Sequence, residues 1–160
     1  MKIFLSLYLI SYFQAAAYLG ITIPASTTGE LIKSGGNGGL QFYVLQFDPI
    51  TLGIDVNSAS CIILGTGNSS VKYLSVSPDI AIIPHSFGNS LSVHGRILLT
   101  RMYIENPAYR VVNNLIGSGA EISIRVLSKP IKLHIMGRYD LYNAKSEKLH
   151  WYTLGLKLEI

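Results

Sequence analysis

Taken two positions at a time, the last third of the chain separates into an apolar and a polar series. Ile116, Ser118, Ala120, Ile122, Ile124 and Val126 alternate with Gly117, Gly119, Glu121, Ser123 and Arg125. After Lys129-Pro130 the pattern restarts, with Ile131, Leu133, Ile135, Gly137, Tyr139 and Leu141 set against Lys132, His134, Met136, Arg138 and Asp140. It returns once more as Tyr152, Leu154, Leu156, Leu158 and Ile160 against Trp151, Thr153, Gly155, Lys157 and Glu159. A period of two is the signature of a β-strand with one apolar and one polar face. Two architectures use such strands. A soluble barrel or sandwich turns the apolar face inward, whereas a membrane barrel turns it out to lipid and fills its interior with polar groups.

The same reading extends upstream to five more segments, giving eight strands in all. They are Tyr18–Ser26, Gly39–Phe47, Leu52–Leu64, Val71–Ile83 and Leu91–Ile104. Leu19, Ile21, Ile23 and Ala25 oppose Gly20, Thr22 and Pro24 in the first, and Leu40, Phe42 and Val44 oppose Gln41, Tyr43 and Leu45 in the second. Leu52, Ile54 and Val56 oppose Gly53, Asp55 and Asn57 in the third. Leu74, Val76, Ile80 and Ile82 oppose Tyr73, Ser75, Ser77 and Asp79 in the fourth, and Leu91, Val93, Ile97 and Leu99 oppose Ser92, His94, Arg96 and Thr100 in the fifth. Each segment is long enough to cross a bilayer at a tilt, which takes about 9–11 residues.

The connections alternate in character. Phe47–Thr51, His85–Asn89 and Ser128–Pro130 read as tight turns, while Thr27–Gly38, Gly65–Ser70, Glu105–Asn113 and Asn143–Lys148 read as looser, polar links. Short turns on the periplasmic side and longer loops outside are the habit of outer-membrane barrels. Tyr103, Tyr139 and Tyr152 fall on apolar faces near the ends predicted to be external, where an amphipathic ring is favoured.

The first residues change the picture. Met1-Lys2, an apolar stretch from Ile3 to Phe13 and Ala15-Ala16-Ala17 have the three parts of a secretory signal, with cleavage expected after Ala17. Residues 1–17 are therefore expected to be a signal peptide and 18–160 the barrel domain. No later stretch approaches the ~20 apolar residues of a spanning helix, so insertion would have to use a closed barrel. The single Cys61 excludes an internal disulfide framework. The formal charge of +4 is scattered, with no basic run of the kind that binds nucleic acid. A mean hydropathy of +0.36 is high for a barrel with a polar interior. Ile62-Ile63-Leu64 and Ile97-Leu98-Leu99, apolar on both faces, contribute to it and fit a soluble sandwich slightly better.

Candidate chemistry lies on the polar faces. Asp55, Asp79, His94, Arg96, Glu121, Arg125, Lys132, His134, Arg138, Asp140, Lys157 and Glu159 would share the lumen. An eight-stranded barrel is just wide enough for side chains to fill it. Buried charges must then pair, and Glu121, Arg125, Lys132, Arg138, Asp140, Lys157 and Glu159 supply both signs for a structural network. The sharper alternative is a narrow conduction path gated by such pairs. A hydrolase would need Ser, His and an orienting acid. Ser92 with His94, or His134 with Asp140, offers parts of that set, but no Gly-x-Ser-x-Gly elbow is present. No spacing marks a metal site, and Ser34–Gly39 lacks the Lys-Ser/Thr of a phosphate loop and reads as a flexible external loop. No cofactor is expected.

Gly117-Ser118-Gly119-Ala120-Glu121, then Gly137-Arg138-Tyr139-Asp140, then the terminal Thr153–Ile160 resemble the small eight-stranded outer-membrane barrels of the OmpA/OmpX-like group. The resemblance implies an all-β, antiparallel, up-and-down transmembrane barrel with a structural or interactive role and no catalysis. It also implies contact with outer-membrane lipids and lipopolysaccharide, and recognition of Leu154–Ile160 by the barrel assembly machinery. Members commonly end in an aromatic residue; Ile160 departs from that habit. The competing expectations are a secreted soluble β-barrel holding a small apolar ligand and a lipid A acyl hydrolase on a barrel of this size.

Overall fold

Eight antiparallel strands join in sequence order and close on themselves, the first against the last, in a computed structural model. It describes residues 14–25, 32–47, 49–64, 69–82, 90–106, 108–144 and 148–159. The strands are β1 (Gln14–Pro24), β2 (Gly35–Phe47), β3 (Ile50–Ile62), β4 (Ser70–Ile82), β5 (Leu91–Asn106), β6 (Tyr109–Leu127), β7 (Lys132–Asn143) and β8 (Lys148–Glu159). Closure runs from Ala16 opposite Glu159 to Pro24 opposite Trp151. Both ends of the described chain thus lie at one end of the barrel, called here the terminal end; the opposite end is the far end. No helix among the described residues is long and apolar enough to cross a membrane, and a barrel would cross with strands.

The alternation resolves into an inside-out molecule. Ile122, Ile124, Ile135, Leu154 and Leu156 are 52%, 53%, 54%, 62% and 53% exposed, whereas Asp55, Glu121, Arg138, Asp140 and Lys157 are buried. The outward apolar residues form a belt around every strand, with Leu19 and Ile21 on β1, Leu40 on β2, Ile54 on β3, Ile80 on β4 and Ile97 on β5 among them. A soluble barrel with inward apolar faces would show the reverse. The two-sided Ile97-Leu98-Leu99 has a different cause from a sandwich core: Ile97 and Leu99 join the belt, and Leu98 points inward into an apolar cluster.

Four details depart from the sequence reading. First, Glu105–Asn113 is not a loose link. β5 and β6 run on as a hairpin with Asn106 opposite Tyr109, its ladder continued by Glu105 with Arg110 and Ile104 with Val111. The β-branched Ile104, Val111 and Val112 carry strand structure through a stretch whose polar residues suggested a loop. Second, Gly35–Gly39 is strand rather than flexible loop, paired with β1 and β3. Gly39 is there for space: a Cβ would lie 2.4 Å from the Tyr18 hydroxyl and 2.5 Å from the Val56 carbonyl oxygen. Third, a bulge between Tyr43 and Leu45 shifts the β2 register, so Leu45 pairs with outward Leu52 and Gln46 with inward Thr51. An extra residue inverts the face of everything beyond it. Fourth, β1 starts at Gln14, so Gln14–Ala17 pair with β2, and Ala16 and Ala17 with β8. The expected turn His85–Asn89 and residues 1–13 lie outside the described residues.

Candidate functional site: the filled lumen and its rim

The interior is stacked in layers along the barrel axis. The middle layer is a network of charges joined by hydrogen bonds and ion pairs. Arg138, on β7, is its hub. Its Nη2 donates to Asp55 Oδ2 at 2.7 Å and to Glu121 Oε2 at 2.6 Å, and its Nη1 donates to the Tyr18 hydroxyl at 2.5 Å. The guanidinium also lies 4.3 Å from the centre of the Tyr18 ring. Tyr18 in turn donates to Asp55 at 3.0 Å, and Gln41 Nε2 donates to Asp55 at 3.0 Å and Glu121 at 3.1 Å. Lys157 Nζ donates to the other Glu121 oxygen at 2.6 Å. Arg96 Nη2 donates to Asp140 Oδ1 at 2.8 Å, and Gly119 makes room for that pair: a Cβ there would lie 2.4 Å from the same Asp140 oxygen. Low-dielectric surroundings make such charge-assisted bonds strong, and make an unpaired partner expensive.

Towards the far end the lumen becomes apolar. Cys61, Val71, Tyr73, Leu98, Met102, Leu115, Tyr142 and Trp151 form a buried cluster, with Tyr73 packed edge-on to Trp151 at 5.7 Å between ring centres. Towards the terminal end lie shorter polar chains. Lys132 donates to Glu159, His134 Nε2 lies 3.2 Å from Glu159 Oε2, and Ser92 and Ser123 share a 2.6 Å hydrogen bond.

Of the residues expected to form the network, Glu121, Arg138 and Lys157 meet directly. Asp140 joins through Arg96 on β5 rather than through β6 or β8. Lys132 and Glu159 form a separate, partly exposed pair at the terminal end. Arg125 is half-exposed at the end of β6, where its backbone N–H donates to the Ser90 carbonyl at 2.7 Å. The sequence reading missed Tyr18 as a lumen residue and Gln41 as the bridge between two carboxylates. Both sat in phase with the polar positions of their strands, and that phase was the available signal.

His94 has a more ordered setting than its sequence neighbourhood suggested. Its Nδ1 lies 3.0 Å from Asp79 Oδ2, and its Nε2 lies 3.0 Å from Ser92 Oγ and 3.4 Å from Lys157 Nζ. In the tautomer with the proton on Nδ1, Nδ1–H donates to Asp79 and Nε2 is the acceptor facing Ser92 and Lys157. Asp79, His94 and Ser92 thus stand in the order of an acyl-transfer triad. Among the described residues, Val93 and His94 are laddered to both β4 and β6, so their backbone N–H groups are taken up in the sheet. His134 lies beside Glu159, not Asp140. Among the described residues, no group of three His, Cys, Asp or Glu side chains could hold a metal ion.

The far rim of the outer wall carries two kinds of side chain. On β7 and β8, Tyr139 stacks at 5.1 Å on Tyr152 and hydrogen-bonds His150 at 2.6 Å. On β4, β5 and β6, Lys72 donates to Glu105 at 2.5 Å, Arg110 lies 3.4 Å from the same carboxylate, and Tyr103 sits among them. The Lys72 hydrogen bond holds the Glu105 carboxyl below its ordinary range, with Arg110 adding to the effect.

With closure, strand count and inverted burial established, comparison with known structures is decisive for the architecture. The Neisserial surface protein A (NspA) superposes with a TM-score of 0.65 at 13% identity, over 92% of this chain and 96% of that one. The fold is that of the small eight-stranded outer-membrane barrels. The Yersinia pestis outer membrane protein Ail, in a phospholipid nanodisc, gives 0.63 at 10% identity over 93% of this chain and all of that one. OprG from Pseudomonas aeruginosa gives 0.57 at 12%, over 92% and 95%. No protein-family model and no curated protein matches the sequence. The shared property is shape and pairing, since identities this low carry no residue correspondence.

Proposed function

We propose that this chain is an integral barrel of a bacterial outer membrane with a structural and interactive role, and that it performs no catalysis. The observation that carries this reading is the inversion of burial: a girdle of half-exposed Ile, Leu and Val outside an interior of hydrogen-bonded charges. In water that girdle would be a large exposed apolar surface of the kind that drives association. In lipid it is satisfied, and every strand is paired on both sides with no open edge within the closed belt. The terminal end faces the periplasm and the far end the exterior, which puts Tyr103, Tyr139 and Tyr152 at the outer interface.

The lumen supports a plug rather than a channel. A charged layer in which each ion has partners, topped by Trp151, Tyr142, Leu98 and Tyr73, fills the interior described here. The function is then carried by the outer wall, the far rim and the external links. Residues 1–17 are read as a signal peptide, and the exposed Leu154, Leu156 and Leu158 of β8 as the signal recognised by the assembly machinery. Cleavage after Ala17 would leave Tyr18, and its contacts with Asp55 and Arg138, in place.

Expression of the full chain followed by membrane fractionation tests the reading. The protein should sediment with outer membranes, resist extraction by salt or carbonate, and migrate faster unheated than heated on a denaturing gel. Recovery as a soluble periplasmic protein would overturn it.

A further inference from the structure

Ser92 is the half-buried end of a directed hydrogen-bond relay near the terminal end of the lumen. With the proton on Nδ1, His94 donates to Asp79 Oδ2 at 3.0 Å and turns a lone pair on Nε2 towards Ser92 Oγ, also at 3.0 Å. Ser123, opposite Ser92 on β6, shares a 2.6 Å hydrogen bond with the same Oγ. When Ser123 donates in that bond, the Ser92 proton is aimed at Nε2. All four side chains stand on laddered strands: Asp79 on β4, Ser92 and His94 two residues apart on β5, Ser123 on β6. A base within reach of a hydroxyl, and itself oriented by an acid, is the arrangement that makes a serine nucleophilic. Asp79 and His94 are buried, so of the three Ser92 is the one that meets solvent.

The surroundings suit transfer of that proton. An imidazolium formed at His94 lies between Asp79, at 3.0 Å, and Glu121, whose Oε1 is 3.8 Å from Nε2. Lys157 Nζ, 3.4 Å from Nε2, opposes it, and the 2.6 Å hydrogen bond from Lys157 to the same Glu121 oxygen offsets that charge. The Tyr43 hydroxyl lies 3.5 Å from Nδ1. A recess of about 250 Å³ adjoins the serine, lined by Ser90, Arg125, Val126, Leu127 and Ser128. Ser90 and Arg125 are the pair next beyond Ser92 and Ser123, joined by the 2.7 Å bond from the Arg125 N–H to the Ser90 carbonyl. The register of β6 against β7 shifts between Arg125 and Leu127, within this lining. A guanidinium and two hydroxyls beside two aliphatic side chains fit a short acyl group carried on phosphate, whose oxygens match the arginine fork.

We propose that Ser92 is an acyl-acceptor site, with His94 as its base, modified by a short acyl phosphate seated beside Arg125. Ser92 Oγ forms a bond to the acyl carbon as its proton passes to His94 Nε2. The bond from that carbon to the phosphate oxygen breaks, and the departing phosphate takes the proton from Nε2. The products are an ester on Ser92 and free phosphate. The modification is made once per chain: His94 is buried, water reaches Nε2 past Ser92, and the acyl group stands in that path. It adds a covalent site to the structural role proposed above, involves no turnover and does not depend on the bilayer.

The test uses the full chain folded in detergent micelles, with acetyl phosphate and p-nitrophenyl acetate as probes and the acetylated position mapped by peptide mass spectrometry. Both should place an acetyl group on Ser92, with nitrophenolate released as a burst of about one equivalent per chain, the fingerprint of an accumulating acyl-protein. His94→Gln, whose amide can still donate to Asp79, should slow that acetylation about a hundredfold, as loss of a general base does. Arg125→Gln should slow acetyl phosphate far more than the uncharged ester, a split between donors that a structural role would not produce. The control Lys72→Gln, on the far rim, should leave both rates unchanged. An unmodified Ser92 in a chain that still migrates faster unheated than heated would overturn the site. So would equal rates for the native chain and His94→Gln. Equal slowing of both donors by Arg125→Gln would overturn the phosphate seat, and continued nitrophenolate release after the burst would overturn the single modification. Membrane fractionation is read separately, so failure of the serine and failure of the membrane reading give different results.

Discussion

Two sets of ion pairs in this molecule have similar geometry and opposite consequences. In the lumen, Arg138 meets Glu121 at 2.6 Å with both side chains fully buried. On the far rim, Lys72 meets Glu105 at 2.5 Å with side chains 49% and 31% exposed. In solvent such a pair contributes little, because water competes for each charge and the side chains lose freedom in holding it. In a dry interior the pair itself adds uncertain net stability, yet removing one partner strands the other. Distance alone therefore does not rank interactions. The lumen network fixes the structure, and the rim cations remain free to exchange partners.

The largest effect that would sharpen this contrast comes from the hub. Arg138→Leu leaves Asp55 and Glu121 facing each other without their shared cation and should destabilise the barrel by about 3–5 kcal/mol, measured by urea unfolding in micelles or vesicles. A change below 1 kcal/mol would mean that water, not Arg138, satisfies the lumen carboxylates. On the lipid side, Ile122→Arg should cost about 2–4 kcal/mol near mid-depth, and Leu158→Arg, near the terminal end, only about 0–1. Equal costs at both positions would argue against a bilayer around the belt. Gly39→Ala drives a methyl into Tyr18, whose hydroxyl lies between Arg138 and Asp55, and should cost roughly 1–3 kcal/mol by overpacking.

The smallest effect belongs to the rim. Lys72→Gln should leave the unfolding midpoint unmoved, and the Glu105 carboxyl should titrate nearer its ordinary range once its strongest partner is gone. In the native chain its depressed range means that the pairing is intact at neutral pH and is lost as the solution is acidified through that range. An NMR titration of Glu105 that is identical in both proteins would show that the contact does not persist in solution.

Much of the architecture was legible in single residues. Leu154, Leu156 and Leu158 against Thr153 and Lys157 announced both a strand and its two faces, because side chains in a strand alternate without exception until a bulge intervenes. The bulge at Tyr43 and Leu45 had no such marker, and it turned Leu45 outward against expectation. Glycine misled at Gly35–Gly39. Its usual role in flexible segments hid a role in close approach, visible only once Tyr18 was placed across from it. Leu98, Tyr73 and Trp151 stood at polar-face positions and revealed an apolar lumen cap only when the barrel brought them together.

The sequence by itself determined the number of strands and the two faces of each, since these depend on neighbours one and two positions away; which face turned outward was decided by the tertiary structure. Only closure decided which charges meet. Arg138 is 83 residues from Asp55, and Arg96 is 44 from Asp140. Alternation assigns a side chain to the inside but not to a height or a direction across the lumen. Register and closure supply both, and through them the partners of every buried ion.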